Sequence, residues 1–366
     1  MLLDRSAIRL LRRRLLAWFD RSRRDLPWRR DRDPYRIWVS EVMLQQTTVP
    51  TVARRFESFL ARFPTLGDLA RAEESDVLQA WQGLGYYRRA RHLHAAAKKI
   101  LRDHDGKFPD QPGPCRELPG MGPYLVNAVL SQAFERRLPI LEANTQRLYC
   151  RLLNEAGDPT TASVRQRLLA FAESLLPDQR VGDFNQALME LGALVCLPGT
   201  PDCSRCPLAD FCQARRAGTQ AVVPLTRRRS PIERREEIAL VVWRRDRALL
   251  LQRPENGRWP LLWEFPRASR SRDESSEETA VRAAKQLAGI DVRLRRRLGI
   301  VRYSVLREHV TVECWEAQWR RGQVSPSWHL SGRWLPIADW PALPCSSPQR
   351  RLALLASQGG TCPAEE

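Results

Sequence analysis

The sequence predicts a two-domain chain: an all-α domain ending in a cysteine cluster, then a smaller α+β domain. Three observations carry this. Apolar residues recur at helical spacing as far as about residue 217. Cys196, Cys203, Cys206 and Cys212 then follow the spacing C-x6-C-x2-C-x5-C. Beyond residue 235 the pattern changes to short alternating apolar runs of strand type. The expected division is a first domain at 1–217 with its cysteine loop at 196–212, a linker at 218–235, a second domain at 236–357 and a disordered tail at 358–366. A chain of 366 residues is long enough for two cores.

The first helix, about Ser6 to Phe19, sets Ile8, Leu11, Leu15 and Trp18 among Arg12, Arg13 and Arg14. That is amphipathic spacing, not the apolar stretch of a signal peptide. Trp38, Val39, Val42, Met43 and Leu44 form an apolar helical run around Glu41, which by itself reads as a glutamate on an amphipathic helix. Helical spacing continues in Val49–Phe59, Asp76–Trp81, Ala90–Leu101, Tyr124–Phe134 and Val164–Leu176. Turn signals separate these stretches: Phe63-Pro64, Gly83 and Gly85, Phe108-Pro109, Pro119-Gly120, Gly157-Asp158-Pro159 and Pro177-Asp178. Gly218, Pro224, the basic run Arg227–Arg229 and Ser230-Pro231 mark the linker. In the second domain Ile238–Trp243 and Ala248–Leu251 read as strands around a charged turn. Thr279–Ala288 reads as a helix with Val281, Ala284 and Ala288 on one face, and Thr311–Trp319 as a further strand.

The formal net charge is +18, from 60 Lys+Arg against 42 Asp+Glu. Such an excess suits a polyanionic partner, with a solvated basic surface as the alternative. No apolar run approaches the length of a membrane-spanning helix. Nine cysteines fit free thiols plus a metal site rather than a disulfide framework. Structural zinc usually takes its thiolates as two close pairs. Here only Cys203 and Cys206 form a pair, which favours a [4Fe-4S] cluster; zinc and four unligated thiols remain the alternatives.

Leu118-Pro119-Gly120-Met121-Gly122 stands between two helical stretches. Two glycines around an apolar residue make a tight hairpin. Its backbone N–H groups and the N-terminus of the next helix, near Tyr124, would face one side and hold a phosphate. An ordinary helix-to-helix turn is the other reading.

The hairpin together with the cysteine spacing resembles the endonuclease III branch of the helix-hairpin-helix DNA glycosylases, and within it the MutY-type adenine DNA glycosylases. The matching stretches are Leu26-Pro27-Trp28-Arg29, Trp38-Val39-Ser40-Glu41-Val42-Met43-Leu44-Gln45-Gln46-Thr47, Gly83-Leu84-Gly85-Tyr86-Tyr87 with Arg88-Arg89-Ala90-Arg91, and Glu190-Leu191-Gly192-Ala193-Leu194-Val195-Cys196. They cover most of residues 8–213, in the family's order.

The resemblance implies Glu41 as the general acid that protonates a departing adenine, with a pKa raised by burial. The family's D-G-N motif reads Glu142-Ala143-Asn144 here. The resemblance makes Glu142 the second carboxylate, one methylene longer than the family's aspartate, with Asn144 beside it. An extra methylene moves the oxygens by about 1 Å, which can cost roughly 100-fold in rate. Tyr124 stands where glycosylase-lyases carry a nucleophilic lysine, which implies base removal without strand cleavage. Trp28, Arg29, Leu44 and Glu190 match the adenine pocket; core packing is the alternative for Trp28 and Leu44. Gln46 and Tyr86 match residues that wedge into the duplex. Leu118, Gly120 and Gly122 are implied to hold the DNA backbone.

The second domain resembles the Nudix-like domain of the same family through Leu249-Leu250-Leu251-Gln252-Arg253-Pro254 and Leu262-Trp263-Glu264-Phe265-Pro266. Its helix at 279–289 has no acidic pair for magnesium, so a recognition module is expected rather than a pyrophosphatase. The family's F-S-H motif, which reads 8-oxoguanine, falls on Val305-Leu306-Arg307, or with a small shift on Ser304 and His309. Leu306 has no polar group for an oxidised base, and Leu261 replaces a family glycine.

The expected activity is monofunctional removal of adenine opposite 8-oxoguanine or guanine in double-stranded DNA, by a monomer with a [4Fe-4S] cluster in the nucleoid-containing cytoplasm, without membrane contact. Glu142 and Leu306 motivate one alternative, a glycosylase with altered purine or mispair specificity. A second, from another class, is a lesion-binding paralogue with little or no catalysis, against which the complete Glu41 motif and the cysteine spacing weigh.

Overall fold

The computed structural model describes residues 4–225 and 232–358. The basic run Arg227–Arg229, Ser230-Pro231 and the tail from residue 359 lie outside them. The described residues form two compact units. One holds the chain up to Arg71 and from His92 to the linker; the other holds Ala72–Arg91 and everything beyond the linker. The expected first domain ran unbroken over 1–217; the compact units set 72–91 with the residues beyond the linker. Within the second unit Gln82 Nε2 donates to Leu343 O at 2.9 Å and Tyr87 OH to Cys345 O at 2.9 Å, tying 72–91 to a chain segment far away in sequence.

The helices up to the linker are α1 (Arg5–Ser22), α2 (Pro34–Leu44), α3 (Val49–Arg62), α4 (Leu66–Arg71), α5 (Glu74–Ala80), α6 (Arg88–Asp103), α7 (Pro112–Arg116), α8 (Pro123–Phe134), α9 (Ala143–Leu153), α10 (Ala162–Leu175), α11 (Val181–Leu194) and α12 (Gln213–Arg216). Their ends follow local chemistry. The Asp4 carboxylate accepts from Ala7 N at 2.8 Å to cap α1, and Asp33 with Pro34 opens α2. Asn154, in the left-handed region at φ 53°, closes α9. The core of this unit gathers Leu11, Leu15, Phe19, Tyr149, Phe184 and Leu188 from α1, α9 and α11. α11 runs through its middle. It comes so close to α9 that a Cβ on Gly192 would lie 2.7 Å from Asn144 Cβ.

In the second unit the strands are β1 (Glu233–Arg244), β2 (Arg247–Gln252), β3 (Trp263–Glu264), β4 (Arg267–Ser269), β5 (Asp291–Val305), β6 (Glu308–Arg321) and β7 (Ser331–Pro336). They form one sheet in the order β3-β2-β1-β6-β5, with β4 paired to β1 and β7 to β2. β1 and β6 are parallel; the other pairs are antiparallel. Alternation along β1 fills both faces. Ile238, Leu240 and Val242 pack with α13 (Ser276–Ala288), while Ala239, Val241 and Trp243 pack with Leu352 of α14 (Ser347–Gln358). The buried face of α13 is Thr279, Ala280, Ala283, Ala284 and Ala288. Val281, expected on that face with Ala284 and Ala288, is exposed; the face against the sheet runs through Ala280, Ala284 and Ala288. β5 carries Arg293, Arg295, Arg296, Arg297 and Arg302, and these charges hide the alternation that would mark it as a strand. Among the described residues no helix is long and apolar enough to cross a membrane.

Candidate active site

Residues spread from 28 to 190 meet in one cleft of the first unit. Trp28, Arg29, Glu41, Leu44, Gln46, Tyr124, Glu142, Asn144 and Glu190 all line it, with a volume of about 620 Å³. The cleft lies where α2, α8 and α11 converge with the start of α9.

Glu41 is 3% exposed. Its Oε2 accepts from Tyr124 OH at 2.7 Å and its Oε1 from Gln132 Nε2 at 2.9 Å. Burial raises its pKa, and the two hydrogen bonds and the Arg29 charge offset only part of that rise. Tyr124 is held neutral well above its ordinary range by burial and by the Glu41 charge. Gln132 escaped the sequence reading. Its only signal was a polar amide, one of two with Asn127, in the apolar run of α8.

Glu142 is the N-cap of α9. Its Oε2 accepts from Asn144 N at 2.8 Å and its Oε1 from Thr145 N at 2.9 Å, while Glu142 N donates back to Thr145 Oγ1 at 2.9 Å. The carboxylate is therefore turned back onto the amides of its own helix. Burial raises its pKa and the two amides pull it down in part. Asn144 Oδ1 accepts from Arg147 Nη2 at 2.9 Å, and Arg147 also reaches the carbonyls of Gly192 (2.7 Å) and Cys196 (2.7 Å).

Glu190 is fully buried between two arginines. Arg24 donates through Nε at 2.8 Å and Nη2 at 2.7 Å, and Arg29 through Nη2 at 3.0 Å. Burial alone would push its pKa up, but these donors hold it down at about 2. Arg24, the bidentate partner, was also missed; its only sequence signal was its place just before Leu26–Arg29. Trp28 lines the cleft and packs edge-on against Phe56 at 5.4 Å. Gln46 is exposed with φ 58°. Tyr86 is 41% exposed with φ 46° and belongs to the second unit, so the two expected wedge residues sit on different units.

Leu118–Gly122 turns from α7 into α8. Gly120, at φ 77°, has no room for a side chain, since a Cβ there would lie 2.7 Å from His92 Cβ. The amides do not all face outward as expected. Met121 N donates to Leu118 O and Gly122 N to Gly120 O, both at 3.1 Å, because so tight a turn closes on itself. What it presents is the N-terminus of α8.

Cys196, Cys203, Cys206 and Cys212 line a single small cleft. Burial, and the charge of the three neighbouring thiols, push the Cys206 thiol up to about 12. Arg151 is 2% exposed and donates to Cys196 Sγ at 3.2 Å, to Leu197 O at 2.7 Å and to Val223 O at 3.0 Å. Among the described residues no three His, Cys, Asp or Glu side chains converge on a mononuclear metal position.

In the second unit β5 and β6 form a hairpin. Leu306 stands at its tip with φ 54°, 74% exposed. Ser304 and His309 are cross-strand partners, with Ser304 Oγ 2.8 Å from His309 Nδ1. Arg307 lies in the turn, and the next residue, Glu308, pairs with Arg258 and with Arg235. Leu261 has φ 62°, a backbone state that favours the glycine it replaces. On α13 Glu278 is consumed in a capping box with Ser275. Glu264 is buried against Arg253, Arg267 and His329.

Residues 39–173 match the HhH-GPD superfamily of base excision DNA repair proteins, and residues 238–355 match the NUDIX domain. The structure of a thermostable thymine-DNA glycosylase superposes with a TM-score of 0.53 at 27% identity, covering 57% of this chain and 97% of that one. Fold and cleft thus define a helix-hairpin-helix base-excision protein with a Nudix-like second domain. The adenine DNA glycosylase of Buchnera aphidicola (subsp. Schizaphis graminum) is 34% identical over 253 residues, 69% of this chain and 73% of that protein. The human adenine DNA glycosylase is 42% identical over 221 residues, 58% of this chain and 40% of that protein. The chain belongs to the adenine DNA glycosylase family. It spans about two fifths of the length of the mammalian relatives it matches.

Proposed function

We propose that the chain is a monofunctional glycosylase that hydrolyses the N-glycosidic bond of adenine paired with 8-oxoguanine or guanine in double-stranded DNA. The observation that carries this reading is Glu41: a buried carboxyl with a raised pKa, held by Tyr124 and Gln132 in a cleft that also contains Glu142. Glu41 donates a proton to the adenine ring, most readily at N7, because a purine leaves poorly until it is protonated. Glu142 steadies the positive charge that grows on the sugar. Tyr124 offers no amine, so no Schiff base forms at its position and the strand stays intact. Glu190, Arg24 and Arg29 form the fixed polar wall of the base pocket, with Trp28 and Leu44 as its apolar wall and Asn144 bracing the start of α9. The N-terminus of α8, beyond Leu118, Gly120 and Gly122, takes a backbone phosphate.

The cysteine cleft fits a [4Fe-4S] cluster held by Cys196, Cys203, Cys206 and Cys212. Arg151 supports this, since a buried guanidinium needs a nearby negative charge and no carboxylate among the described residues supplies one. When bound, the cluster cross-links the loop after α11 and supplies that charge. The opposite base is read by the β5–β6 hairpin. Ser304 and His309 offer the polar groups there, with Arg307 beside them and Leu306 supplying none. The partner is duplex DNA with a mispaired base, bound by a monomer in the nucleoid-containing cytoplasm.

One observation favours a weaker enzyme. The carboxylate of Glu142 is engaged by its own helix and must leave that cap to approach a sugar. Single-turnover assays on adenine opposite 8-oxoguanine, guanine and cytosine, with other damaged purines alongside, test the reading. Release of adenine without strand scission supports it. Tight binding without release of any base would make the chain a lesion-binding paralogue, and release of another purine alone would overturn the substrate.

A further inference from the structure

The turn that carries Tyr86 is built around one arginine. Trp81 is fully buried, and its Nε1 donates to Gly85 O at 3.0 Å. The Arg89 guanidinium lies over the Trp81 ring at 5.5 Å and over the Tyr86 ring at 5.6 Å. Its Nη2 also donates to Leu84 O at 3.0 Å and Gly85 O at 3.3 Å. The backbone between these anchors is unusual: Gly83, Gly85 and Tyr86 have φ 90°, 70° and 46°. The two glycines accept that conformation readily; a tyrosine does not, and it stays there only if its surroundings hold it. Burial keeps the Arg89 pKa down at about 10, still well above neutral, so the cation persists.

We propose that Arg89 is a positioning residue, which clamps Tyr86 between the buried Trp81 and the solvent so that the ring is preset to enter the duplex. The proposal rests on the reading of Tyr86 as a wedge, and it adds what sets the wedge. Tyr86 alone among the four groups of the clamp is largely exposed; Trp81, Leu84 and the Gly85 carbonyl fix the other side. The clamp needs a planar cation. A guanidinium can stack on a ring at each face while its edge donates to two carbonyls, which a compact ammonium cannot do. Preset in this way, the ring loses little freedom on entering the duplex.

Arg89→Lys separates this role from plain charge. The probe is a duplex with 2-aminopurine in place of the target adenine, whose fluorescence rises when it unstacks. In the full-length protein Arg89→Lys should lower the flipped fraction by about 5-fold, the scale of one or two cation–π contacts. Its affinity for undamaged duplex should change less than about 2-fold, since the charge is kept. Arg89→Gln should fall at least as far in flipping. Tyr86→Ala should also lose flipping, and adding Arg89→Lys to it should cost nothing more. If Tyr86→Ala flips normally, the wedge reading fails and the proposal with it. If Tyr86→Ala is defective but Arg89→Lys flips like the native protein, or the two losses simply add, the wedge stands and the clamp is overturned.

Discussion

Two glutamates at the site are shifted in opposite directions, and each shift has a consequence in solution. Burial raises the pKa of Glu41 above 4.5, so the folded chain holds that proton more tightly than the unfolded one. Base release should therefore fall as pH rises through the raised value, and the stability contributed by this group should fall over the same window. Glu41→Gln should abolish release while leaving DNA affinity within about 3-fold, because an amide preserves the size but has no acid proton; single-turnover rates and a binding titration check both. Glu190 runs the other way. With its pKa near 2 against 4.5 when free, it contributes about 3 kcal/mol at neutral pH that is lost as pH falls from about 4.5 towards 2. Urea unfolding of the native chain and of Glu190→Gln between pH 3 and 7 measures that difference. Glu142→Asp should raise the glycosylase rate, since the D-G-N motif of the family carries the shorter aspartate at this position. A lower rate instead would mean that the site has adapted to glutamate.

At the scale of elements, α11 carries the heaviest demand. It brings Glu190 to the arginines and passes Asn144 so closely that only hydrogen fits on Gly192. Gly192→Ala should push α11 from α9, costing about 1–3 kcal/mol in stability and loosening the start of α9 where Glu142 and Asn144 sit. A lowered unfolding midpoint with a slower single-turnover rate is the expected pair of results. A lower midpoint with an unchanged rate would show that α9 is held by other means.

For the whole molecule, charge and cluster give the measurable outcomes. With a net charge of +18, affinity for duplex should drop steeply with salt, by about 1000-fold or more between roughly 50 and 200 mM. A shallow slope would mean that the basic residues do not meet phosphates. Anaerobically prepared protein should contain iron and sulfide in cluster proportion, and Cys203→Ser should lose them. Stoichiometric zinc without iron would refute the assignment.

The division into a helical part and an α+β part was legible in the sequence because each period is local: 3.6 residues for a buried helix face, 2 for a strand. The cysteine spacing and the stretches around Glu41 and Glu190 were legible for the same reason, since motif residues stay close along the chain. Local patterns also misled, as with the arginines of β5 and Val281 on α13. Only the tertiary structure assigned 72–91 to the second unit, because the carbonyls of Leu343 and Cys345 that hold Gln82 and Tyr87 come from more than 250 residues away. It alone paired Arg24 with Glu190 and Gln132 with Glu41, and it alone folded the Glu142 carboxylate onto the amides of its own helix. A hydrogen bond depends on angles and on distances of tenths of an ångström, and side chains reach those only after the backbone has been packed.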